Sequence, residues 1–523
     1  MTFVSAAQST AKHSTGFANY CNRFGVAVLL VAAADFLFYG QPAGITVLLF
    51  AILIAAAVVA VHPAAFSDGR LWLKPAALLV ALLPLAETVS PLSVSTGLAA
   101  LVVFALSVHR RLRHGIARIA GQIALFLMAA PVRFAGDFIR WRKTARRLGG
   151  RRVRLAAAAV WVMPLTLGAV FLALFGAANP VIDYWLSLID LMKLINLIEL
   201  TRIAFWLFVL GGVWAFLRPR LPRFSRRMSR PSHPPADAQP IAKPDRHVVE
   251  DILFGKAAIL RALIVFNVLF ALQTGLDATY LWGGAALPDG LSYASYAHRG
   301  AYPLVVTALL AAAFVLAALR PGSATSADPL IRRLVYALIA QNIMLVVSSI
   351  LRLDLYVGIY SLTYWRVAAF VWMGLVAAGL VLIIARIALQ KSGEWLLSAN
   401  LATLSTTLYA CCFINFAALI ANYNVDHSYE MTGQGIPLDA WYLRSLGPGA
   451  FPALDRFIDH QGRTPAAGAV REIAGMRASD EGWYRGVQQN WRAWSLRDWR
   501  LLRHLDSRGP LVIPSPAAAE PGR

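Results

Sequence analysis

Charged and aromatic residues are concentrated in two stretches that lie between long apolar runs. Residues 273–303 read QTGLDATYLWGGAALPDGLSYASYAHRGAYP, and residues 352–366 read RLDLYVGIYSLTYWR. Guanidinium groups bind phosphate and carboxylate, and aromatic rings pack against sugars or acyl chains. The two stretches therefore predict a site for an anionic ligand, with nine candidate residues: Asp277, Tyr296, His298, Arg299, Tyr302, Arg352, Asp354, Tyr360 and Arg366.

A structural interpretation of the same residues stays open. Asp277 and Asp354 can pair with the arginines and fix the loops, while the tyrosines form an aromatic belt at the membrane surface. Arginine at the outer boundary of a membrane is costly unless it is paired or binds an anion. His298 is either a proton carrier or a hydrogen-bonding structural residue.

No catalytic signature accompanies these residues. The sequence lacks HExxH, Walker A, GxSxG, CxxC and EF-hand patterns. Three cysteines are too few for a disulfide framework, and Cys411 and Cys412 are adjacent within an apolar run, which favours packing. We predict no catalytic residue, metal or cofactor. Enzymatic activity stays undecided. A membrane-embedded transferase, with Asp277, His298 or Asp354 as the base, is the third-ranked function.

Membrane-spanning helices are the elements that must position the candidate residues. Hydrophobic residues make up 58% of the chain and charged residues 15%, with a mean hydropathy of +0.59. Soluble domains are about half apolar and a quarter charged. Apolar runs near the 20 residues that a span needs predict an all-α polytopic bundle of eleven helices, at about 24–40, 44–61, 71–89, 92–108, 155–178, 201–217, 256–276, 302–319, 331–351, 365–389 and 400–421.

Positive charge is confined largely to two segments. Residues 109–154 contain thirteen Lys and Arg against one Asp, and residues 218–247 contain eight against two, so together they carry +18 of the net +22. The positive-inside rule places both segments in the cytoplasm. Contact with anionic lipid headgroups explains the charge, so membrane lipids are expected partners and nucleic acid is not.

This topology predicts six regions. An interfacial helix at 116–131 lies in the second region, and every later orientation inverts if that helix crosses the membrane. With the helix at 116–131 in the interface, the N-terminus is cytoplasmic and the C-terminus is extracytoplasmic. The regions are a four-helix membrane region (1–108), a basic cytoplasmic segment (109–154), two spans flanking an amphipathic helix (155–217), a disordered cytoplasmic linker (218–247), a five-span core (248–423) and a small helical extracytoplasmic region (424–523).

Near the C-terminus, WYRGVQQNWRAWSLRDWRLLRHL combines tryptophan with arginine. It predicts an amphipathic helix that rests on the membrane interface or packs on the bundle.

Four segments resemble a known family. They are YASYAHRGAYPL (293–304), YSLTYWR (360–366), WLLSAN (395–400) and DAWYLRSLGPGAFPAL (439–454). They are similar to uncharacterised bacterial multi-pass membrane proteins grouped as a domain of unknown function, of the 4173 type or the related 4153 type. The resemblance covers half to two-thirds of the chain, chiefly after the fifth span, and the family pattern has glycine where Ser361 stands. It implies a bacterial plasma-membrane location and supplies no activity.

Two functions lead. The first is a bacterial inner-membrane protein that binds or moves an anionic envelope component through the outer-face Arg/Tyr cluster. The alternative is a non-catalytic membrane sensor or scaffold that signals to a cytoplasmic protein partner through residues 218–247.

Overall fold

The structure is a computed structural model, and most of the residues that it describes are helical. The described residues are 22–62, 73–109, 111–112, 115–147, 199–219, 255–283, 306–316, 328–461 and 467–509, with the isolated positions 164, 167, 168, 171 and 303. Within these ranges no strand occurs, and the extended segments contribute a single bridge between Ser428 and Ile436. The all-α class is therefore confirmed for the part of the chain described.

Several helices are long and apolar enough to cross a membrane. Five such helices occur among the described residues, and a sixth is counted when one bent helix pair is taken as a single span. The protein is therefore embedded in a membrane. The total of eleven spans stays a prediction, because the predicted span at 155–178 and the amphipathic helix at 181–200 lie almost wholly outside the described residues.

The chain divides into two compact units. Unit 1 comprises Met1–Leu85, Val94–Arg113 and Ile119–Phe224, and unit 2 comprises Ala86–Ser93, His114–Arg118 and Ser225–Arg523. The boundary after Phe224 falls within the predicted linker (218–247), of which residues 220–247 lie outside the described part.

The described part of unit 1 contains six helices around one apolar core. Residues such as Leu82, Val102, Leu106 and Trp214 are fully buried there. The helices are α1 (22–38), α2 (Ile45–Val61), α3 (Leu73–Glu87), α4 (Pro91–Val108), α5 (Ile116–Arg147) and α6 (Leu200–Leu217). The last two residues of α3 and the first three of α4 and of α5 belong to unit 2.

Helix α5 is longer than the interfacial helix predicted at 116–131. It runs for 32 residues to Arg147, although its apolar part ends at Ala130. The sequence prediction used apolar length alone, whereas arginine has good helix propensity and continues the helix beyond the apolar segment.

Two parallel helices, α7 (Lys256–Asp277) and α9 (Pro329–Tyr360), form the centre of unit 2. Their first turns are joined by Lys256, whose Nζ lies 2.6 Å from a carboxylate oxygen of Asp328. Asp328 also caps α9 by accepting from the amides of Leu330 and Ile331. The Lys256 ammonium and these amides lower the pKa of Asp328. Further along, Asn267 of α7 donates to the carbonyl of Leu334 at 3.1 Å.

Helix α9 corrects two predicted boundaries. The span expected at 331–351 continues to Tyr360, so the loop expected at 352–366 shrinks to Ser361–Thr363. Its 32 residues measure about 48 Å, more than the roughly 30 Å of a hydrocarbon core. Charged residues did not end the helix, because Arg352 is buried beside a counterion.

The stretch after Gln273 was also predicted as loop and is partly helical. Helix α7 continues through Asp277, and a π-helical turn follows at Ala278–Trp282, closed by a hydrogen bond from the Gly283 amide to the Ala278 carbonyl at 2.8 Å. Residues 284–300 lie outside the described part of the chain.

The predicted last span at 400–421 is two helices. Helix α11 (Gly393–Cys411) and helix α12 (Phe416–Asp426) meet at a bend of 70°. Asn415 starts α12, since its side chain accepts from the Ala418 amide. The other apolar helices of unit 2 are α8 (Val306–Leu316) and α10 (Tyr364–Ala388).

The rest of unit 2 is a group of short helices that share an apolar core. This core joins Val357 and Leu362 to residues as far along the chain as Ala474. Asn490 and Ser495 cap new helical turns, so the predicted single tryptophan-rich helix is interrupted. The helices are α13 (Tyr429–Thr432), α14 (Ala440–Ser445), α15 (Phe451–Gln461), α16 (Ala467–Gln488) and α17 (Leu496–Arg508), with 3-10 turns at Pro448–Ala450 and Trp491–Ala493.

Ion pairs connect three of these helices. Asp455 of α15 is buried and receives both Arg477 of α16, at 3.0 Å, and Arg508 of α17, at 2.8 Å. Arg477 also lies over the Phe451 ring, 3.8 Å from its centroid. Because the carboxylate has two cationic partners, the three helices hold one another in place.

Candidate functional site

Two of the predicted site residues form an ion pair between α7 and α9. One carboxylate oxygen of Asp277 accepts from Nη2 of Arg352, and the other accepts from the Ser348 hydroxyl. Gln273, one turn earlier, donates to Asp277 at 3.0 Å. Asp277 is 1% exposed and Arg352 is 3% exposed. The contact agrees with the salt-bridge interpretation for this pair.

Sequence reasoning missed Ser348 and Gln273 as members of this group. Each lies four residues before a predicted member, Ser348 before Arg352 and Gln273 before Asp277. Residues four apart share a helix face, and that spacing was the available signal.

A second group lies at the C-terminal end of α9. Nη1 of Arg366 donates to the carbonyls of Tyr360 and Ser361. Its guanidinium carbon lies 4.7 Å from the centroid of the Tyr356 ring and 5.9 Å from that of Tyr360. Arg366 thus caps the helix carbonyls through one nitrogen and stacks on aromatic rings, which leaves Nε and Nη2 without a hydrogen bond within the described residues.

The turn between α9 and α10 is held by the following helices. The side chain of Asn424 accepts from the Leu362 amide at 2.7 Å and donates to the Leu362 carbonyl at 3.0 Å. The Tyr442 hydroxyl accepts from the Tyr364 amide at 3.2 Å. Ser361 has a φ of +64°, a region in which glycine is unstrained, and this explains why a glycine suits the position.

Asp354 is the one predicted residue of α9 that joins neither group. It is exposed. Four others lie outside the described residues: Tyr296, His298, Arg299 and Tyr302.

A groove between α8, α10 and α11 was not predicted. It encloses about 360 Å³, a volume within the range of small-molecule sites. Its lining is apolar apart from Asn400 and Thr403, and the Nδ2 and hydroxyl of these residues donate to carbonyls of their own helix. Other lining residues include Ala312, Trp372, Val376 and Gly379.

A stripe of α10 connects the groove with the end of the span. Trp372 and Val376 line the groove, and Trp365, seven residues before Trp372, falls on the same helix face. Trp365 is 88% exposed. Arg366 is six residues from Trp372, about 9 Å along the helix axis and about 120° around it. The groove and the Arg366 group are therefore neighbours along α10 but lie on different faces of the helix.

The described part of the chain has no obvious metal centre. No three His, Cys, Asp or Glu side chains within it are grouped as metal ligands would be. Cys412 is buried, and its thiol lies 3.3 Å from the Leu408 carbonyl.

The chain matches a known protein family over most of its length. Residues 24–457 match the model described as "Domain of unknown function (DUF4153)". The chain belongs to this family. The DUF4153 match includes the helices of unit 1, so it extends further toward the N-terminus than the four resembling segments. No curated protein and no solved structure matches the chain. The family assignment therefore gives no activity for the chain.

Proposed function

We propose that this DUF4153 protein binds an anionic amphiphile, a molecule with an acyl chain and a negatively charged head. The observation that carries the proposal is the apolar groove between α8, α10 and α11. Acyl chains gain free energy when they leave water or pack in a preformed apolar groove. The Arg366 group supplies the complementary feature for the head.

The Arg366 group suits the charged head for two reasons. Its Nε and Nη2 atoms are not used by the helix carbonyls, and guanidinium nitrogens form charge-assisted hydrogen bonds with phosphate or carboxylate oxygens. Tyr356 and Tyr360 fix the plane of the guanidinium. Arg352 contributes differently, because its partner is Asp277.

We assign the protein to the bacterial inner membrane, with a cytoplasmic N-terminus and an extracytoplasmic C-terminus. The family resemblance and the Lys/Arg excess of residues 109–154 support this assignment. In this orientation Arg366 faces the envelope side, where the ligand is an envelope lipid or a lipid-linked envelope precursor.

Native mass spectrometry of the protein purified in mild detergent tests the proposal. Val376→Trp fills the groove, whereas Val381→Trp adds the same bulk to an exposed position of the same helix. We expect an anionic lipid on the wild type and on Val381→Trp, and its loss from Val376→Trp. Arg366→Gln should weaken retention about tenfold through the lost charge-assisted bonds, with Arg456→Gln as an unaffected control.

Equal amounts of the same lipids on all five proteins would contradict the proposal. The groove would then hold ordinary bilayer lipid, and Arg366 would act only as a helix cap.

A sensor or scaffold is the second candidate, and one observation favours it. The turn between α9 and α10 is bonded to the C-terminal helices through Asn424 and Tyr442. A ligand bound at Arg366 would therefore contact a turn that is held in place by hydrogen bonds to those helices. Deleting residues 223–245 separates the functions, since a lipid-binding protein keeps its lipid and a scaffold loses its cytoplasmic partner.

A further inference from the structure

Three helix ends of unit 1 bring basic side chains together. Arg23 lies at the start of α1, His62 directly follows α2, and His109 directly follows α4. The rings of His62 and His109 are 3.9 Å apart between centroids. Nη2 of Arg23 lies 3.0 Å from Nε2 of His62. Arg111 is near enough to lower the pKa of His62, His109 and Arg133, and we call these five residues the basic cluster.

The hydrogen bonds of the histidines define their protonation. Arginine can only donate, so Nε2 of His62 accepts from Arg23 and the proton of His62 is on Nδ1. Nδ1 of His109 donates to the Ala105 carbonyl at 2.7 Å. His62 Nδ1 and His109 Nε2 are buried and make no hydrogen bond of normal geometry within the described residues, although the nearby Val58 carbonyl raises the pKa of His62.

Arg133 of α5 is the least compensated member of the basic cluster. Its guanidinium carbon lies 4.5 Å from the centroid of the Phe126 ring, and both of its terminal nitrogens are buried without a hydrogen-bond partner in the described ranges. Burial lowers the pKa of Arg133, the nearby carboxylate of Asp137 opposes this, and Arg111 adds to it. Burying an unpaired charge is expensive.

The nearby carboxylate is shared with other groups. Asp137 accepts from the Trp214 indole at 3.3 Å and lies 3.3 Å from a guanidinium nitrogen of Arg218. Arg111 donates to the Pro219 carbonyl at 2.5 Å. Around Asp137 the described side chains therefore place more positive than negative charge.

We propose that the basic cluster is a binding site for an oxyanion of the phosphate class. Arg133 offers two terminal nitrogens, His62 offers Nδ1–H, and His109 offers Nε2–H once it is protonated. An oxyanion has several oxygens that can accept from such donors, and guanidinium geometry matches phosphate. The source is either a free phosphate or the headgroup of an anionic phospholipid.

The test uses the full chain, with two probes that separate the sources. Inorganic phosphate is titrated into the detergent-solubilised protein and followed by the phosphorus NMR linewidth. In parallel, nanodiscs of phosphatidylglycerol or phosphatidylcholine supply lipid, and bound lipid is counted by native mass spectrometry. Binding of inorganic phosphate identifies a free anion, and selective retention of phosphatidylglycerol identifies a headgroup.

Arg133→Gln should weaken whichever binding is found by about tenfold. Arg118→Gln changes an arginine of the same helix whose side chain is 60% exposed, and it should leave binding within about twofold. Either probe responding in this pattern supports the site. Binding by neither probe, or equal binding by wild type and Arg133→Gln, overturns the proposal.

A second variant decides the matter if Arg133→Gln loses its helical circular dichroism. His109→Gln keeps a neutral side chain but cannot become a cation. It should weaken binding about threefold at pH 4, where His109 is partly protonated, and unchanged binding in this variant at that pH would overturn the proposal.

Discussion

The Asp277 site of unit 2 and the basic cluster of unit 1 bury arginine in different surroundings. Arg352 lies against a carboxylate that also receives Ser348. Arg133 lies over a phenyl ring with both terminal nitrogens unpartnered among the described residues. A buried charge that is hydrogen-bonded to its counterion holds helices together, whereas one whose nearby carboxylate bonds to other groups is a reason to bind something. The comparison separates a structural arginine from a candidate ligand-binding one.

Breaking the Asp277 pair should have the largest effect. Asp277→Ala leaves Arg352 buried without its carboxylate, so we expect the free energy of unfolding to fall by about 3–5 kcal/mol. Denaturant unfolding in detergent micelles measures this. Asp354→Ala, at an exposed position of α9, is the control and should change it by under about 0.5 kcal/mol. Similar values for both variants would remove the distinction between the two sites.

Asn424→Ala should have the next largest effect. It leaves the amide and carbonyl of Leu362 without partners in a buried turn, which costs about 2–4 kcal/mol. The Leu362 amide should also exchange its hydrogen faster, a change that hydrogen-exchange mass spectrometry detects. Asn422→Ala removes a partly exposed bond to Arg456 and should leave that amide protected.

The basic cluster should make unit 1 sensitive to acid. Burial lowers the pKa of His109 to about 4, and burial and Arg23 lower that of His62. Between pH 6.5 and 4 the unfolded chain binds more protons than the folded one, so stability falls as the pH falls. The expected loss is about 2–3 kcal/mol.

Thermal unfolding across this pH range measures the effect. His109→Gln should flatten the dependence, while His427→Gln should preserve it. A bound phosphate should reduce the loss, because the anion favours protonated His109. Arg23 and Arg111 oppose that protonation, and the anion offsets their charge.

Arg133→Gln should have the smallest effect on stability. Without an anion the substitution removes a buried charge that has no hydrogen-bond partner among the described residues, so the free energy of unfolding should change by less than about 1 kcal/mol. Denaturant unfolding at low ionic strength tests this. A loss as large as that of Asp277→Ala would show that Arg133 is already paired.

Helix positions were predictable where an apolar run matches the helix. The spans expected at 44–61, 201–217 and 365–389 correspond to Ile45–Val61, Leu200–Leu217 and Tyr364–Ala388, within one residue at each end. Transfer of apolar side chains out of water determines these helices, and that property can be read from local sequence.

Features that depend on distant residues could not be predicted. The extension of α9 past Arg352 requires Asp277, which lies 75 residues earlier. The bend before α12 depends on Asn415, whose side chain caps the helix. In the sequence alone, Asn415 cannot be told from other polar residues within apolar runs. Sequence reasoning proposed the residue types of the Asp277 site but not their pairing. It counted Arg133 only as one of many basic residues, since its lack of partners is a property of packing.

The bond between Leu362 and Asn424 also imposes an order on the synthesis of the chain. The two residues are 62 positions apart, and a ribosome adds about 5–20 residues per second. The turn after α9 therefore waits about 3–12 seconds for its partner. The core around it closes later still, because it includes Ala474. During this interval Val357 and Leu362 are uncovered on the nascent chain, and chaperones can bind them. A premature stop after α10 would leave both residues permanently exposed.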